Sequence, residues 1–184
     1  MVAVLVVLAV VVVIALIVVA IYNNLVRYRI ECDNAWSQID VQLKRRHDLI
    51  PNLVETVKGV MEFERGTLTK VMEARASALG AKSFNDRIKA EGEISGLVGR
   101  LLAVWENYPT LKSNQNAMQL QEELSSTENR IAYSRGHFND VVSNLNALVE
   151  QFPSNILAGT FGFKKREFFQ APEGERQVPT VKLN

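Results

Sequence analysis

The sequence has few of the residues on which catalytic and metal sites are usually built. Of its 184 residues only one is a cysteine and two are histidines. The single cysteine, Cys32, cannot form a disulfide within the chain, which suits a reducing compartment. Di-iron helical bundles need Glu-x-x-His pairs, but Lys44 precedes His47 by three residues and Ser134 so precedes His137. Phosphate-loop and nucleophile-elbow motifs are also absent. We therefore predict no enzymatic activity, no catalytic residue, no metal and no cofactor.

An excess of charge of one sign is missing as well. Lys and Arg total 21 against 20 Asp and Glu, a net charge of +1, so we predict no nucleic-acid partner. The charges are unevenly placed, because residues 1–22 contain no charged residue, Gly or Pro. At roughly 1.5 Å per residue they reach about 33 Å, close to the hydrocarbon thickness of a bilayer. This run predicts a transmembrane helix at residues 1–22 and the lipid bilayer as a partner.

A cleaved signal peptide is the alternative reading of this run. Signal peptides begin with basic residues and have a shorter apolar core, so a retained single-pass anchor is favoured. Nothing basic precedes the run, whereas Arg27 and Arg29 follow it closely. Because cytoplasmic flanks are enriched in Lys and Arg, we expect the N-terminus outside and the remaining chain in the cytoplasm.

Hydrophobic periodicity predicts four long helices after the anchor. The first continues from the anchor to about Arg46, with Trp36 as a core anchor, and should break near Asp48–Pro51 because proline disfavours helical geometry before it. The second covers about residues 51–79. The third covers about 84–108, capped by Ser83. Glycines at positions 92, 96 and 99 of this helix indicate either close approach of a neighbouring helix or a loosely wound segment.

The fourth helix shows the clearest pattern. Its apolar positions alternate steps of three and four, as in a heptad seam. They are Ala117, Leu120, Leu124, Thr127, Ile131, Ser134, Phe138, Val141, Leu145, Leu148 and Phe152. Four long helices with short connections predict an all-α fold: a transmembrane helix continuing into a four-helix antiparallel up-and-down bundle over residues 23–153. A coiled-coil dimer remains the alternative.

Two groups of residues are candidate contact sites. Lys44, Arg45 and Arg46 either complement the end of the first helix or dock an acidic partner. In an up-and-down bundle the tail, residues 154–184, begins close to the bilayer. Its candidate membrane contacts are Phe161, Phe163, Lys164, Lys165, Arg166, Phe168 and Phe169. The alternative is that these phenylalanines cover the bundle's own apolar flank. From about residue 171 we expect disorder.

Several stretches together resemble the LemA family. They are 22–26 (YNNLV), 35–46 (AWSQIDVQLKRR), 48–54 (DLIPNLV), 108–112 (YPTLK), 127–130 (TENR), 152–153 (FP) and 168–169 (FF). The resemblance implies a small bacterial protein with one N-terminal transmembrane helix and a four-helix up-and-down bundle. A family relative looks like a factor that builds magnetosome membranes, and family genes often lie near those of membrane proteases.

These observations leave two function classes open. The first is a non-catalytic, membrane-anchored scaffold in a bacterial cell membrane that forms homo-oligomers and organises membrane-protein partners. The second is an adaptor that presents substrates or partners to a membrane protease.

Overall fold

The structure, a computed structural model of the chain, describes residues 1–60 and 64–169. Those residues form helices and turns with no strand among them, so the all-α prediction is confirmed. The helices are α1 (Val2–Val57), α2 (Arg65–Gly80), α3 (Phe84–Trp105), α4 (Pro109–Lys112), α5 (Gln115–Glu150) and α6 (Ser154–Thr160). The disorder expected from about residue 171 lies outside the described residues.

Helix α1 contains the whole apolar run and continues without interruption to Val57. The side chains of residues 1–17 are all exposed, and α1 has the length and composition of a membrane-spanning helix. The predicted continuity between the apolar run and the first folded helix is therefore confirmed.

The break predicted near Asp48–Pro51 is wrong, because α1 passes through Pro51. A proline inside a helix cannot donate to the carbonyl four residues earlier, which here belongs to His47. Arg75 replaces the missing donor, with its Nε donating to the His47 carbonyl oxygen at 2.8 Å. A side chain from α2 thus satisfies the acceptor that the proline leaves open.

The later helix boundaries are partly as predicted. Residues 51–57 belong to α1 and α2 begins at Arg65, so the single helix predicted for 51–79 is wrong. Ser83 does cap α3, because its Oγ accepts from the Asp86 amide at 3.1 Å. Helix α3 ends at Trp105 rather than Tyr108, and Pro109 starts the short α4.

The chain divides into two compact units. Among the described residues, unit 1 comprises Met1–Gln38 and Ser134–Phe168, and unit 2 comprises the residues from Ile39 to Tyr133 together with Phe169. Helices α1 and α5 each contribute one part to each unit. In unit 2, segments of α1, α2, α3 and α5 share one apolar core that includes Ile50, Val71, Ile94 and Leu124, and the short α4 adds Leu111 to it. Asp40 pairs with Arg87 and Arg46 with Glu91, so α1 and α3 run in the same direction, as an up-and-down order requires.

The seam of α5 is buried or partly buried within the single chain from Ala117 to Leu148, but the prediction for its last member is wrong, because Phe152 lies beyond α5 and is 80% exposed. Ile131 is 2% exposed in unit 2, and Phe138 is 3% exposed in unit 1. An internal bundle therefore accounts for the heptad pattern. Phe138 packs edge-on against Trp36 at 5.7 Å between ring centroids, but Trp36 is only half-buried, whereas Trp105 is fully buried.

Helix α3 is continuous through its glycines, so the loosely wound segment is wrong. At Gly96 and Gly99 an added Cβ would meet open space. Close helix approach therefore does not explain these two glycines.

Candidate interaction sites

The run Lys44, Arg45 and Arg46 does not form one basic surface. Lys44 is exposed and donates to Asp48 on the next turn at 3.0 Å. Arg45 is half-exposed and lies 3.8 Å from a Glu123 oxygen. Arg46 is fully buried, because consecutive helix residues are rotated by about 100° and the third one faces the core. The expectation that Arg46 docks a partner is corrected by this burial, while contacts by Lys44 and Arg45 remain a prediction.

Arg46 is the centre of a buried ion network in unit 2. The network comprises Arg46, His47, Glu91, Ser95 and Glu128. Nη2 of Arg46 donates to Glu91 Oε2 at 2.5 Å and to the Glu91 carbonyl oxygen at 3.0 Å. Nη1 donates to Glu128 Oε1 at 2.8 Å and to Ser95 Oγ at 2.6 Å. One guanidinium therefore links α1 to both α3 and α5.

Glu91 is the most buried carboxylate of this network, at 2% exposure. Burial alone would raise its pKa, but the hydrogen bond with His47 at 2.9 Å and the adjacent charge of Arg46 outweigh burial and hold the pKa of Glu91 below its usual value. Glu91 is therefore ionised in the folded protein at neutral pH. A charged pair at this depth costs desolvation, which its mutual attraction and its additional hydrogen bonds offset.

A groove of about 490 Å³ opens beside the network in unit 2. Charged side chains line most of it, joined by the apolar Leu79, which is 61% exposed. Its lining residues are Asp40, Lys44, His47, Asp48, Arg75, Ala78, Leu79, Ala81 and Arg87. The groove therefore presents both signs of charge and, at Leu79, an exposed apolar side chain to a partner.

In unit 1 the tail after α6 is fixed to the helices by polar contacts. The side chain of Asn146 donates to the Arg166 carbonyl at 2.9 Å and accepts from the Arg166 amide at 2.8 Å. The Arg166 side chain pairs with Asp33 at 2.7 Å, and Lys165 pairs with Glu150. Lys165 and Arg166 thus have acidic partners within the protein itself.

The aromatic part of the tail contacts the end of the apolar run. Phe161 and Phe163 both pack edge-on against Tyr22, with ring centroids 4.9 and 6.0 Å away. We call Tyr22, Phe161 and Phe163 the aromatic cluster. The guanidinium of Arg29 lies 5.2 Å from the Phe163 ring centroid. The structure therefore brings together residues from the two chain segments that form unit 1.

The other predicted membrane contacts differ in exposure. Lys164 is exposed and Phe168 is 42% exposed, whereas Phe169 is only 3% exposed. Phe169 therefore offers almost no surface to a membrane.

Within residues 1–60 and 64–169, no three His, Cys, Asp or Glu side chains are grouped as a metal site would require. Cys32 is fully buried, and burial raises the pKa of its thiol. A buried thiol with a raised pKa packs as a small apolar residue and is a poor nucleophile.

Comparison with known proteins places the chain in a family. The model of the LemA family matches residues 35–183. The chain belongs to the LemA family. The matched region begins after the apolar run and includes every residue of the buried ion network.

Individual relatives of this LemA-family chain have low sequence identity to it, but they align with most of its length. It is 28% identical to magnetosome protein MamQ 2 of Paramagnetospirillum magneticum, over 88% of this chain and 70% of the relative. It is also 28% identical to protein LemA of Metamycoplasma hominis, over 88% of this chain and 74% of the relative. Magnetosome protein MamQ of Magnetospirillum gryphiswaldense is 25% identical over 88% of this chain and 70% of its own.

Sequence reasoning missed the partners of Arg46, although one signal was present. Ile39, Leu43, Arg46, Ile50, Leu53 and Val57 follow steps of four and three, which puts Arg46 on the core stripe. That spacing could have predicted its burial. Nothing in the local pattern selects Glu91 or Glu128 as partners, because both lie far along the chain.

Proposed function

We propose that this protein is a non-catalytic, membrane-anchored scaffold that self-assembles and organises membrane-protein partners. The observation that supports it most is the short connection between the apolar run and the folded residues. Leu25 is fully buried only three residues after Tyr22, in the same helix and the same unit. With the apolar run in a bilayer, unit 1 lies directly at the membrane surface. A folded unit held there suits contacts between neighbours in the membrane plane.

We place the protein in a bacterial cell membrane as a single-pass protein with its N-terminus outside. The basic residues Arg27 and Arg29 directly after the run favour this orientation. Two of the relatives are named magnetosome proteins, and a role in organising a membrane compartment agrees with that name. Protease protection of a C-terminal tag in spheroplasts tests the orientation, because a cytoplasmic tag survives until the membrane is opened.

Self-assembly is tested by crosslinking the full chain in native membranes at its natural abundance. We expect dimers and larger species. A control replaces residues 1–22 by an unrelated single-pass segment: assembly through the folded units survives the exchange, whereas assembly through the anchor is lost. A strictly monomeric protein in both forms would exclude the scaffold.

The groove beside the buried ion network favours a second candidate, an adaptor that presents substrates or partners to a membrane protease. The Lys44 side chain lines the groove and is 78% exposed. Lys44→Glu, with the buried Arg46 intact, should remove one co-purifying membrane protein. Lys58→Glu makes the same charge change on an exposed residue outside the groove. Equal co-purification from both variants would exclude the adaptor site.

A further inference from the structure

Large apolar and aromatic side chains are exposed in unit 1 near the end of the apolar run. Phe161 is 54% exposed and Tyr22 is 38% exposed, and Ile156 of the adjoining α6 is 59% exposed. Exposed apolar surface of this kind marks a contact site, because water disfavours it. The location of this surface indicates a membrane as the partner, since Tyr22 is the last residue of the apolar run.

The contacts with Tyr22 indicate how deep Phe161 and Phe163 lie relative to the bilayer. Aromatic side chains at the end of a membrane-spanning helix lie at the headgroup level of the bilayer. Phe161 and Phe163 touch the Tyr22 ring, so they lie within about one ring diameter of that level once the run spans lipid. This placement rests on the proposed membrane anchoring.

The turn between Phe161 and Phe163 has a defined backbone conformation that fixes the positions of both rings. Gly162 has φ of +72°, a left-handed conformation that favours glycine, and the Phe163 amide donates to the Ala158 carbonyl at 2.9 Å. The contacts of Asn146 and Asp33 with Arg166 then hold the following residues. Both rings are thus positioned by the fold before any lipid is bound.

Four cations lie in or beside the aromatic segment of unit 1, and the described residues neutralise two of them. Lys165 and Arg166 are paired with Glu150 and Asp33. Among the described residues Arg29 and Lys164 have no carboxylate partner, and Arg29 lies over Phe163. Basic residues at the membrane surface are attracted by anionic lipid headgroups.

We infer that Tyr22, Phe161 and Phe163, with Arg29 and Lys164, form a collar that binds the headgroup layer of an anionic phospholipid bilayer. The aromatic rings set the depth, and the two cations give the preference for anionic lipid. The set of membrane contacts predicted from the sequence is thereby reduced. Lys165 and Arg166 are paired with carboxylates of the protein, and Phe169 is buried.

The collar can be tested with the full chain in nanodiscs of phosphatidylcholine alone or of equal parts phosphatidylcholine and phosphatidylglycerol. A spin label is attached to Thr160→Cys, next to Phe161, in a Cys32→Ala background. Labels at Val10→Cys and Tyr133→Cys serve as lipid and water references, since Tyr133 is 81% exposed in unit 2. Oxygen reports access from lipid, and a nickel chelate reports access from water.

We expect nickel access at position 160 to be several-fold lower than at 133, with oxygen access between the two references. Phosphatidylglycerol should lower nickel access further. Arg29→Gln with Lys164→Gln should remove that extra decrease. Lys89→Gln with Lys112→Gln, an equal charge change on exposed residues of unit 2, should retain it.

Three results would overturn the collar. Nickel access at 160 equal to that at 133 places the segment in water. Low access to both reagents means that protein, not lipid, covers it. The same access in both lipid compositions removes the anionic preference. The label at Val10 separates these results from failure of the proposed function, because a water-accessible Val10 would refute membrane anchoring and the collar together.

Discussion

The runs 44–46 (KRR) and 164–166 (KKR) are similar in sequence, yet the structure uses them differently. In unit 2 the run lies on α1, and its last member, Arg46, is fully buried between two carboxylates. In unit 1 the run lies outside helices, and its last member, Arg166, is pinned at the surface by its backbone and by Asp33. Consecutive basic residues therefore need not share one function. The local backbone decides which member meets solvent, which meets protein and which is left for a partner.

The largest expected effect is the loss of Arg46. Arg46→Met keeps much of the side-chain volume but leaves Glu91 and Glu128 without their cation. Removing one partner of a buried ion pair costs about 3–5 kcal/mol. We expect that loss in the free energy of unfolding of the full chain, measured by urea titration in one detergent. Arg45→Met on the neighbouring half-exposed residue should cost less than about 1 kcal/mol. Equal losses would show that the two arginines are equivalent after all.

The second effect concerns pH and Glu91. Because folding lowers the pKa of Glu91, its contribution to stability is present above the unfolded pKa and is lost as pH falls through the folded pKa. Glu91→Gln should therefore cost roughly 1.5–3 kcal/mol at neutral pH, and the difference from wild type should shrink in acid below about pH 4. Urea titrations of both proteins across this range measure it. A difference that does not change with pH would mean that the charge of Glu91 is unimportant.

The third effect, on the hydrogen bonds between Asn146 and the tail of unit 1, should be smaller and local. Asn146→Ala removes two hydrogen bonds to the Arg166 backbone, each worth about 0.5–1.5 kcal/mol. Amide hydrogen exchange should accelerate in residues 161–168 while unit 2 is unaffected. Asn144, exposed on the same helix, provides the control Asn144→Ala. Similar exchange in both variants would argue that the tail is held by its aromatic contacts alone.

The smallest effect compares the first members of the two runs. Lys44→Ala removes an exposed ion pair with Asp48 one turn away, worth about 0.3–0.5 kcal/mol at low salt. Lys164→Ala should change the stability of the protein still less, because no described carboxylate pairs with it. High salt should remove the difference between the two variants in melting temperature. A larger cost for Lys164 would point to an intramolecular partner.

What the sequence could predict about this protein is what depends on neighbouring residues. A charge-free run of apolar residues predicts a membrane-spanning helix, and the steps of three and four along α5 predict its buried face. Ser83 predicts a helix start because its cap is made within one turn. The spacing of the apolar residues from Ile39 to Val57 also predicts that Arg46 is buried, because Arg46 lies on the same face of α1.

What only the tertiary structure decided are the contacts between distant segments. Pro51 stays helical because Arg75 from α2 satisfies the carbonyl it leaves open. Glu91 and Glu128 become the partners of Arg46 because α3 and α5 meet α1 there. The tail reaches Tyr22 through the fold of unit 1. In each case a local rule about proline, charge or aromatic exposure is satisfied by a residue far away in the chain, which no local pattern can identify; the shortest of these separations, from His47 to Arg75, is 28 positions.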